Sequence, residues 1–353
     1  MAEDIETLRH ALQLVAPGTA LREGLGRIQR SHTGALIVLG YNEEVESICS
    51  GGFTLDVDFS ASRLRELSKM DGAIIVDTDR WRIRKANAQL IPSSDIPTDE
   101  SGMRHRTAQR AARQLGIPVL SVSASMTRIS VYVGELQYTV EEPETLLARA
   151  NQALDTLDRY LQRLDEVMST LSLFEMRDSV TVRDVATVIQ RMEMIRRISA
   201  EINGYIDELG EDGRLLALQT DDLLRGAASE RSLVLHDYVR NLATLADVET
   251  KLSDLSGDAL VDLSRIANIL GLGVYDAADL DRTIAPRGIQ VLSMIPRLPW
   301  PTIQAISARW PTLAELRTAT SEQLQQIEGI GPYRAQLIVK HLDERMRLSE
   351  EMV

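Results

Sequence analysis

The chain has 353 residues, 44% hydrophobic, 26% charged and only 4% aromatic, which excludes a disordered or fibrous protein and implies two or three globular domains with aliphatic cores. A single cysteine, Cys49, excludes an internal disulfide and a cysteine-rich zinc site, and no apolar run approaches the ~20 residues of a membrane span. The net charge of −13 is unevenly spread: residues 1–142 carry 16 basic and 19 acidic side chains, residues 143–285 carry 15 and 26, and residues 286–353 carry 8 and 7. An acidic protein repels DNA as a whole, but here the acid is in the middle and the last segment is free to meet a phosphate backbone. The acidic start, Met1-Ala2-Glu3-Asp4-Ile5-Glu6, lacks the basic and apolar regions of a signal peptide, so a cytoplasmic protein without a membrane partner is expected.

Residues 3–31 predict two helices broken at Pro17-Gly18, with Thr19 capping the second. Short β-type runs follow at 35–39, 45–49, 73–77, 81–91, 119–123, 129–133 and 137–140, with helical stretches at 60–68 and 107–115 between them. This alternation predicts an α/β domain, and the short Gly134-Glu135 connection makes its sheet mixed. The middle region, 143–285, reads as an all-α helical spacer with three apolar seams. These are Leu147 to Leu171 at alternating spacings of three and four, Val185 to Ile206, and Leu235 to Leu255. They fit an internal bundle or an intermolecular coiled coil. From 286 to 353, prolines around Trp300 and a Gly-Ile-Gly turn mark a small helical domain.

Two polar clusters carry the chemistry. Asp71-Gly72-Ala73 opens the buried run Ala73-Ile74-Ile75-Val76, and Arg104-His105-Arg106-Thr107 opens the helix that ends at Gly116. A carboxylate at a strand start either caps its own turn or holds a divalent metal near backbone. Arginines and a histidine at a helix start either form a solvated basic turn or hold phosphate, which the free N–H groups and partial positive charge there also attract. Together they suggest metal-assisted nucleotide chemistry. Three adjacent side chains on a helix cannot point one way. His105 and Thr107 are therefore expected to face phosphates, and at least one arginine to lock the loop through a carboxylate.

With the glycine-flanked run Gly34 to Gly40 and the terminal Glu328-Gly329-Ile330-Gly331-Pro332-Tyr333-Arg334-Ala335, these clusters resemble the DNA integrity scanning family of diadenylate cyclases over nearly the whole chain. The resemblance implies a diadenylate cyclase domain over 1–142, a helical linker over 143–285 and a helix-hairpin-helix DNA-binding domain over 286–353. It also implies condensation of two ATP into cyclic di-AMP and two pyrophosphates. Asp71 would bind catalytic Mg²⁺ or Mn²⁺, and His105 would share the catalytic work. Gly72, Ala73, Leu90, Met103, Arg104, Arg106, Thr107 and Ser123 would contact substrate, with Leu90 against adenine. Because two ATP need two facing half-sites, at least a dimer is required, and the family implies an octamer.

The chain departs from the family pattern at Met103, where threonine is usual, and at Ala124 and Met126, where basic residues are common; Arg128 is a candidate replacement. In the terminal hairpin, Gly329, Ile330 and Gly331 would let backbone approach a DNA phosphate, with Arg334 and Lys340 adding charge and Pro332 starting the second helix. The first helix is expected over 321–327, and Ile295-Pro296-Arg297-Leu298-Pro299 resembles a degenerate partner hairpin without glycines. Branched DNA such as a Holliday junction, lowering cyclase output, is the implied partner. The alternative is a non-catalytic nucleotide-binding scaffold for DNA junctions, which the three departures favour.

Overall fold

The computed structural model describes residues 2–124 and 128–351; Met126 lies outside them. The chain forms two units. The first comprises residues 1–152 and 201–219, the second 153–200 and 220–353.

The first unit is built on a mixed sheet of eight strands: β1 (Ala35–Leu39), β2 (Cys49–Ser50), β3 (Phe53–Asp58), β4 (Ala73–Asp77), β5 (Arg82–Leu90), β6 (Val119–Val122), β7 (Ile129–Val133) and β8 (Leu136–Val140). The order is β2-β5-β4-β1-β6-β7-β8, with β3 also on β5. Among the described residues only β1 and β4 pair in parallel, in register Leu36↔Ala73 to Leu39↔Val76. Every residue of β1, β4, β6 and β7 is buried, so these strands carry apolar side chains on both faces. On one face Ile37, Leu39, Ile74, Val76 and Leu120 pack with α1 (Ala2–Leu14), α2 (Ala20–Arg30) and α4 (Ala61–Leu67). On the other, Leu36, Val38, Ile75 and Tyr132 pack with α3 (Glu43–Ser47) and α5 (Met103–Leu115). Thr19 caps α2 by accepting from the Arg22 N–H at 3.1 Å.

Some expectations for this unit change. Of residues 45–49, only Cys49 is in a strand, as the start of β2. Asn42 accepts from the Val45 N–H at 2.8 Å, and three glutamates in the first turn favour its positive end, so α3 forms there. Strand β3 is not among the expected runs. Gly51 and Gly52 both have positive φ and turn the chain from β2 into β3.

The helical region begins with α6 (Pro143–Met176) and α7 (Val182–Leu209). Seam residues Ala150, Leu157, Leu164, Leu171, Val185, Val188, Met192, Ile195 and Ile202 are buried within the single chain, as an internal bundle requires. Then come α8 (Arg214–Leu223), α9 (Ala227–Tyr238), α10 (Leu245–Ser253), α11 (Gly257–Val261) and α12 (Leu263–Ile269). The third seam is not one helix. The Arg287 guanidinium takes the carbonyls of His236, Asp237 and Val239 at the end of α9, and Asn241 accepts from the Ala243 N–H to start the next turn.

The last five helices are α13 (Ile289–Ser293), α14 (Trp300–Arg309), α15 (Leu313–Arg317), α16 (Ser321–Leu324) and α17 (Pro332–Glu351). They share one apolar cluster that includes Ile295, Ile303, Leu324, Ile330 and Ile338. Helix α16 is shorter than expected. A Thr320–Gln323 capping box fixes its start, but the chain leaves the helix after Leu324 to reach the turn at 328–331.

Candidate active site and nucleic-acid interface

Strand register brings the first set of candidates to one end of the sheet. Gly34 precedes β1, and Asp71-Gly72 precede β4, which runs parallel to it. Strands β5 and β6 run antiparallel to these neighbours, so their last residues, Leu90 and Val122-Ser123, reach the same end. Ala73 sits inside the sheet, opposite Leu36 and Ala88. Leu90 is 8% exposed and belongs to the apolar cluster between sheet and α5.

Helix α5 adds its N-terminus to this end. It starts one turn earlier than the composition indicates, at Met103, so the Arg-His-Arg run lies in its first turn. Gly102 is its N-cap and offers no side-chain acceptor, which leaves the first N–H groups open to an anion. Met103 is 85% exposed, so its side chain does not cover them. Arg104 reaches back across the sheet and donates from Nη2 to Asp71 Oδ1 at 2.8 Å. Its guanidinium lies over Gly34, where a Cβ would collide with it. The carboxylate that Arg104 engages is therefore the candidate metal ligand itself. With Asp71 90% exposed, this pair adds little stability and stays easy to rearrange. Arg106 is exposed, and Thr107 is half-buried one step along the helix.

Glycine at position 72 has a reason within the fold. A Cβ there would lie 2.5 Å from the Asn87 carbonyl carbon of β5. Asn87 has φ +53, a left-handed residue in mid-strand that bulges β5 toward the start of β4.

Further residues at this end belong to no motif. Tyr132, 1% exposed on β7, bonds His105 Nδ1 at 2.8 Å and donates to Glu100 Oε1 at 2.7 Å. Gln137 also donates to that oxygen, at 2.6 Å. Arg128 donates to Ser130 Oγ at 3.2 Å, and Ser130 shares a face of β7 with Tyr132, so Arg128 lies on the side of the sheet where the histidine sits. Burial, and next the charges of Arg128 and Arg104, lower the His105 pKa, against an opposing pull from Glu100. Burial and the Glu100 acceptor hold the Tyr132 phenol well above its ordinary range. Alternation in β7 marks Tyr132 only as core, and Glu100 sits in a polar loop, so neither was visible in the sequence.

The second candidate region lies in the other unit. Gly329 has φ +85, Ile330 is 4% exposed, and Gly331 has open space where a Cβ would stand. Pro332 is the first residue of α17. Arg334 donates to the Gly329 carbonyl at 2.7 Å, while Lys340 is exposed beside Glu344. The turn at 295–299 repeats this backbone. Leu298 N–H bonds Ile295 O as Ile330 N–H bonds Ile327 O, and Ile303 N–H bonds Pro299 O as Ala335 N–H bonds Gly331 O. Arg297, at φ +59, stands where Gly329 does. Backbone geometry is thus kept without the glycines, at the strain of a left-handed arginine.

Residues 22–136 match the family model described as DisA bacterial checkpoint controller nucleotide-binding, and residues 140–278 match its linker region. Proteins named DNA integrity scanning protein DisA are similar along the full length. That of Acidothermus cellulolyticus is 50% identical over 99% of this chain and 95% of its own, and that of Beutenbergia cavernae 53% identical over 98% and 96%. The chain belongs to the DisA family. The nucleotide-binding match of that family contains the whole sheet end with Asp71, Arg104 to Thr107 and Ser123, whereas residues after 278 lie outside both family models. No helix among the described residues is long and apolar enough to cross a membrane.

Proposed function

We propose that this chain is a DNA-responsive diadenylate cyclase. One observation carries the reading: the Arg104–Asp71 bond joins an exposed carboxylate to an open helix N-terminus at one end of the sheet. A nucleotide needs both, a carboxylate for its metal and ribose end and N–H donors for its phosphates.

In the reaction, the 3′-hydroxyl of each ATP attacks the α-phosphorus of the other. Two phosphodiester bonds form, two pyrophosphates leave, and each hydroxyl proton passes to solvent. The open N–H groups of α5, with Arg106 and the Thr107 hydroxyl, hold phosphate oxygens. Ser123 and the Met103 backbone border the same space, and Leu90 meets adenine. Arg104 steadies Asp71 until substrate arrives.

The donor set fits Mg²⁺ or Mn²⁺ in one way. No group of three or more acidic, histidine or cysteine side chains among the described residues could hold a metal alone. Asp71 offers one open carboxylate, Oδ1 being shared with Arg104. Such ions commonly bind through one or two carboxylates plus substrate phosphates. A metal held this way supplies charge neutralisation at the phosphates. One protomer holds one ATP, so the working unit is a homo-oligomer, an octamer by family resemblance.

The 328–332 turn acts as a helix-hairpin-helix. Backbone N–H groups at Gly329 and Gly331, on a turn that Ile330 seats in the core, take phosphates of branched DNA such as a Holliday junction with Arg334 and Lys340, and binding lowers cyclase output. The test is incubation of purified protein with ATP and Mn²⁺ and mass analysis of the nucleotides. Cyclic di-AMP is expected. Unchanged ATP that is nevertheless bound would return the non-catalytic scaffold.

A further inference from the structure

The hydrogen bonds behind His105 fix more than its position. Glu100 Oε1 receives both the Tyr132 hydroxyl and the Gln137 amide, and an ionised carboxylate only accepts. The Tyr132 proton is therefore committed to Glu100. Its oxygen is left to accept from His105 Nδ1, 2.8 Å away, so Nδ1 carries the ring proton. Nε2 makes no hydrogen bond among the described residues, and in the neutral ring it is a bare lone pair.

The loop that carries Glu100 is itself pinned to α5. Gln109, 5% exposed, accepts from the Thr98 hydroxyl and from the Asp99 N–H at 3.1 Å. Arg110 donates to the Ile96 carbonyl at 2.8 Å, and Gln114 accepts from the Ser93 N–H at 2.8 Å. The helix that presents His105 thus also holds the carboxylate that orders its tautomer.

We infer that Tyr132 and Glu100 are positioning residues that hold His105 as the Nδ1–H tautomer, so that Nε2 meets the nucleotide as an acceptor. A lone pair repels phosphate oxygen. Its partner is an O–H donor, a ribose hydroxyl or an ordered water, and phosphate binding falls to the α5 N–H groups, Arg106 and Thr107. The tautomer does not depend on the cyclase reading; its kinetic consequence does.

The test begins without ATP. Full-length protein labelled with ¹⁵N-histidine is examined at neutral pH by ¹⁵N NMR of the ring nitrogens, with the His105→Asn spectrum identifying the signal. The parent and Glu100→Gln, which keeps a carbonyl acceptor, should show a protonated Nδ1 and a bare Nε2. Tyr132→Phe and Glu100→Ala should lose that pattern. A parent ring protonated at Nε2, or an unchanged pattern in both disrupting variants, overturns the inference. Tyr132→Phe keeps the ring volume, and Glu100→Ala lies on a surface loop, so at least one should fold. In the cyclase assay both should lose about 10- to 100-fold in kcat with little change in KM, as expected when a histidine is presented in the wrong tautomer. Full turnover despite an altered tautomer would end the positioning role. An inactive parent would sink the cyclase reading while the spectrum still decides the tautomer.

Discussion

The two helices at the candidate sites each follow a glycine, α5 after Gly102 and α17 after Gly331, and they are assembled differently. The start of α5 is tied to distant pieces: Arg104 to Asp71 before β4, His105 to Tyr132 on β7, and through it to Glu100. The start of α17 is tied to itself: Arg334 bonds Gly329 five residues back, and Ile330 anchors the turn in the local core. A site drawn from several strands is sensitive at each contributor, whereas a local turn is sensitive only where it meets its ligand. One end is suited to placing charge on a small anion, the other to offering backbone to an extended one.

The largest expected effect breaks the first half of that comparison. Asp71→Asn keeps the shape but removes the charge, and loss of a metal contact in the transition state costs several kcal/mol, about 10³-fold in rate. Cyclic di-AMP should fall to the detection limit while gel filtration shows the parent's oligomer and junction binding persists. Near-parent turnover would remove Asp71 from the chemistry.

Next, Gly331→Asp places a carboxylate where a phosphate should lie, and Arg334→Glu reverses a neighbouring charge. Each should weaken branched-DNA binding about 10-fold or more and lower the salt slope by about one unit per lost phosphate contact. Cyclase activity without DNA should not change. Junction binding equal to the parent's in both variants would move the DNA site elsewhere.

A third variant separates folding from chemistry at the sheet end. Gly72→Ala drives a methyl into Asn87 of β5, an overpacking that costs about 1–3 kcal/mol. Thermal unfolding of the first unit should shift down by several degrees, with DNA binding intact. An unchanged melting temperature would mean that β5 yields freely, leaving nucleotide contact as the reason for glycine.

The same local-against-distant contrast explains what was legible. Asp71, the Arg-His-Arg run and the terminal Gly-Ile-Gly are contiguous, and each has a chemistry that can be named from its residue types. The mixed α/β domain and the helical region were legible too, because hydrophobic period survives without knowledge of partners. Glu100 and Tyr132 lie 32 residues apart and gain meaning only when β7 is laid beside α5. Asn87 looks like an ordinary strand residue until its φ is known. Helix α3 was misread because Val45, Ile48 and Cys49 look β-like, while its cap, Asn42, lies outside that run.

The smallest effect probes whether the second unit also contains a contact set drawn from distant segments. It does, but buried. Glu175 on α6, 1% exposed, accepts from Tyr238 on α9 at 2.6 Å and from Gln290 on α13 at 2.9 Å, while Asp237 accepts from the Ile289 and Gln290 N–H groups. Burial, and then the Asp237 carboxylate, push Glu175 up to about 8. An acid whose folded pKa is raised binds its proton more tightly when folded. Its contribution is therefore complete at low pH and is lost as pH rises from the unfolded value of ~4.5 toward 8. Between pH 6 and 8 the parent's second unit should lose stability as the coupled Glu175–Asp237 pair releases a proton that the unfolded chain no longer holds. Glu175→Gln, neutral at every pH and still able to accept from Tyr238, should flatten that slope in denaturant titrations without altering cyclase or DNA activity. A parent slope that survives in Glu175→Gln would place the titrating group elsewhere. A flattened slope accompanied by lost junction binding would show that this buried contact also shapes the DNA-binding end, and the contrast between local and distant assembly would then hold only for the turn itself.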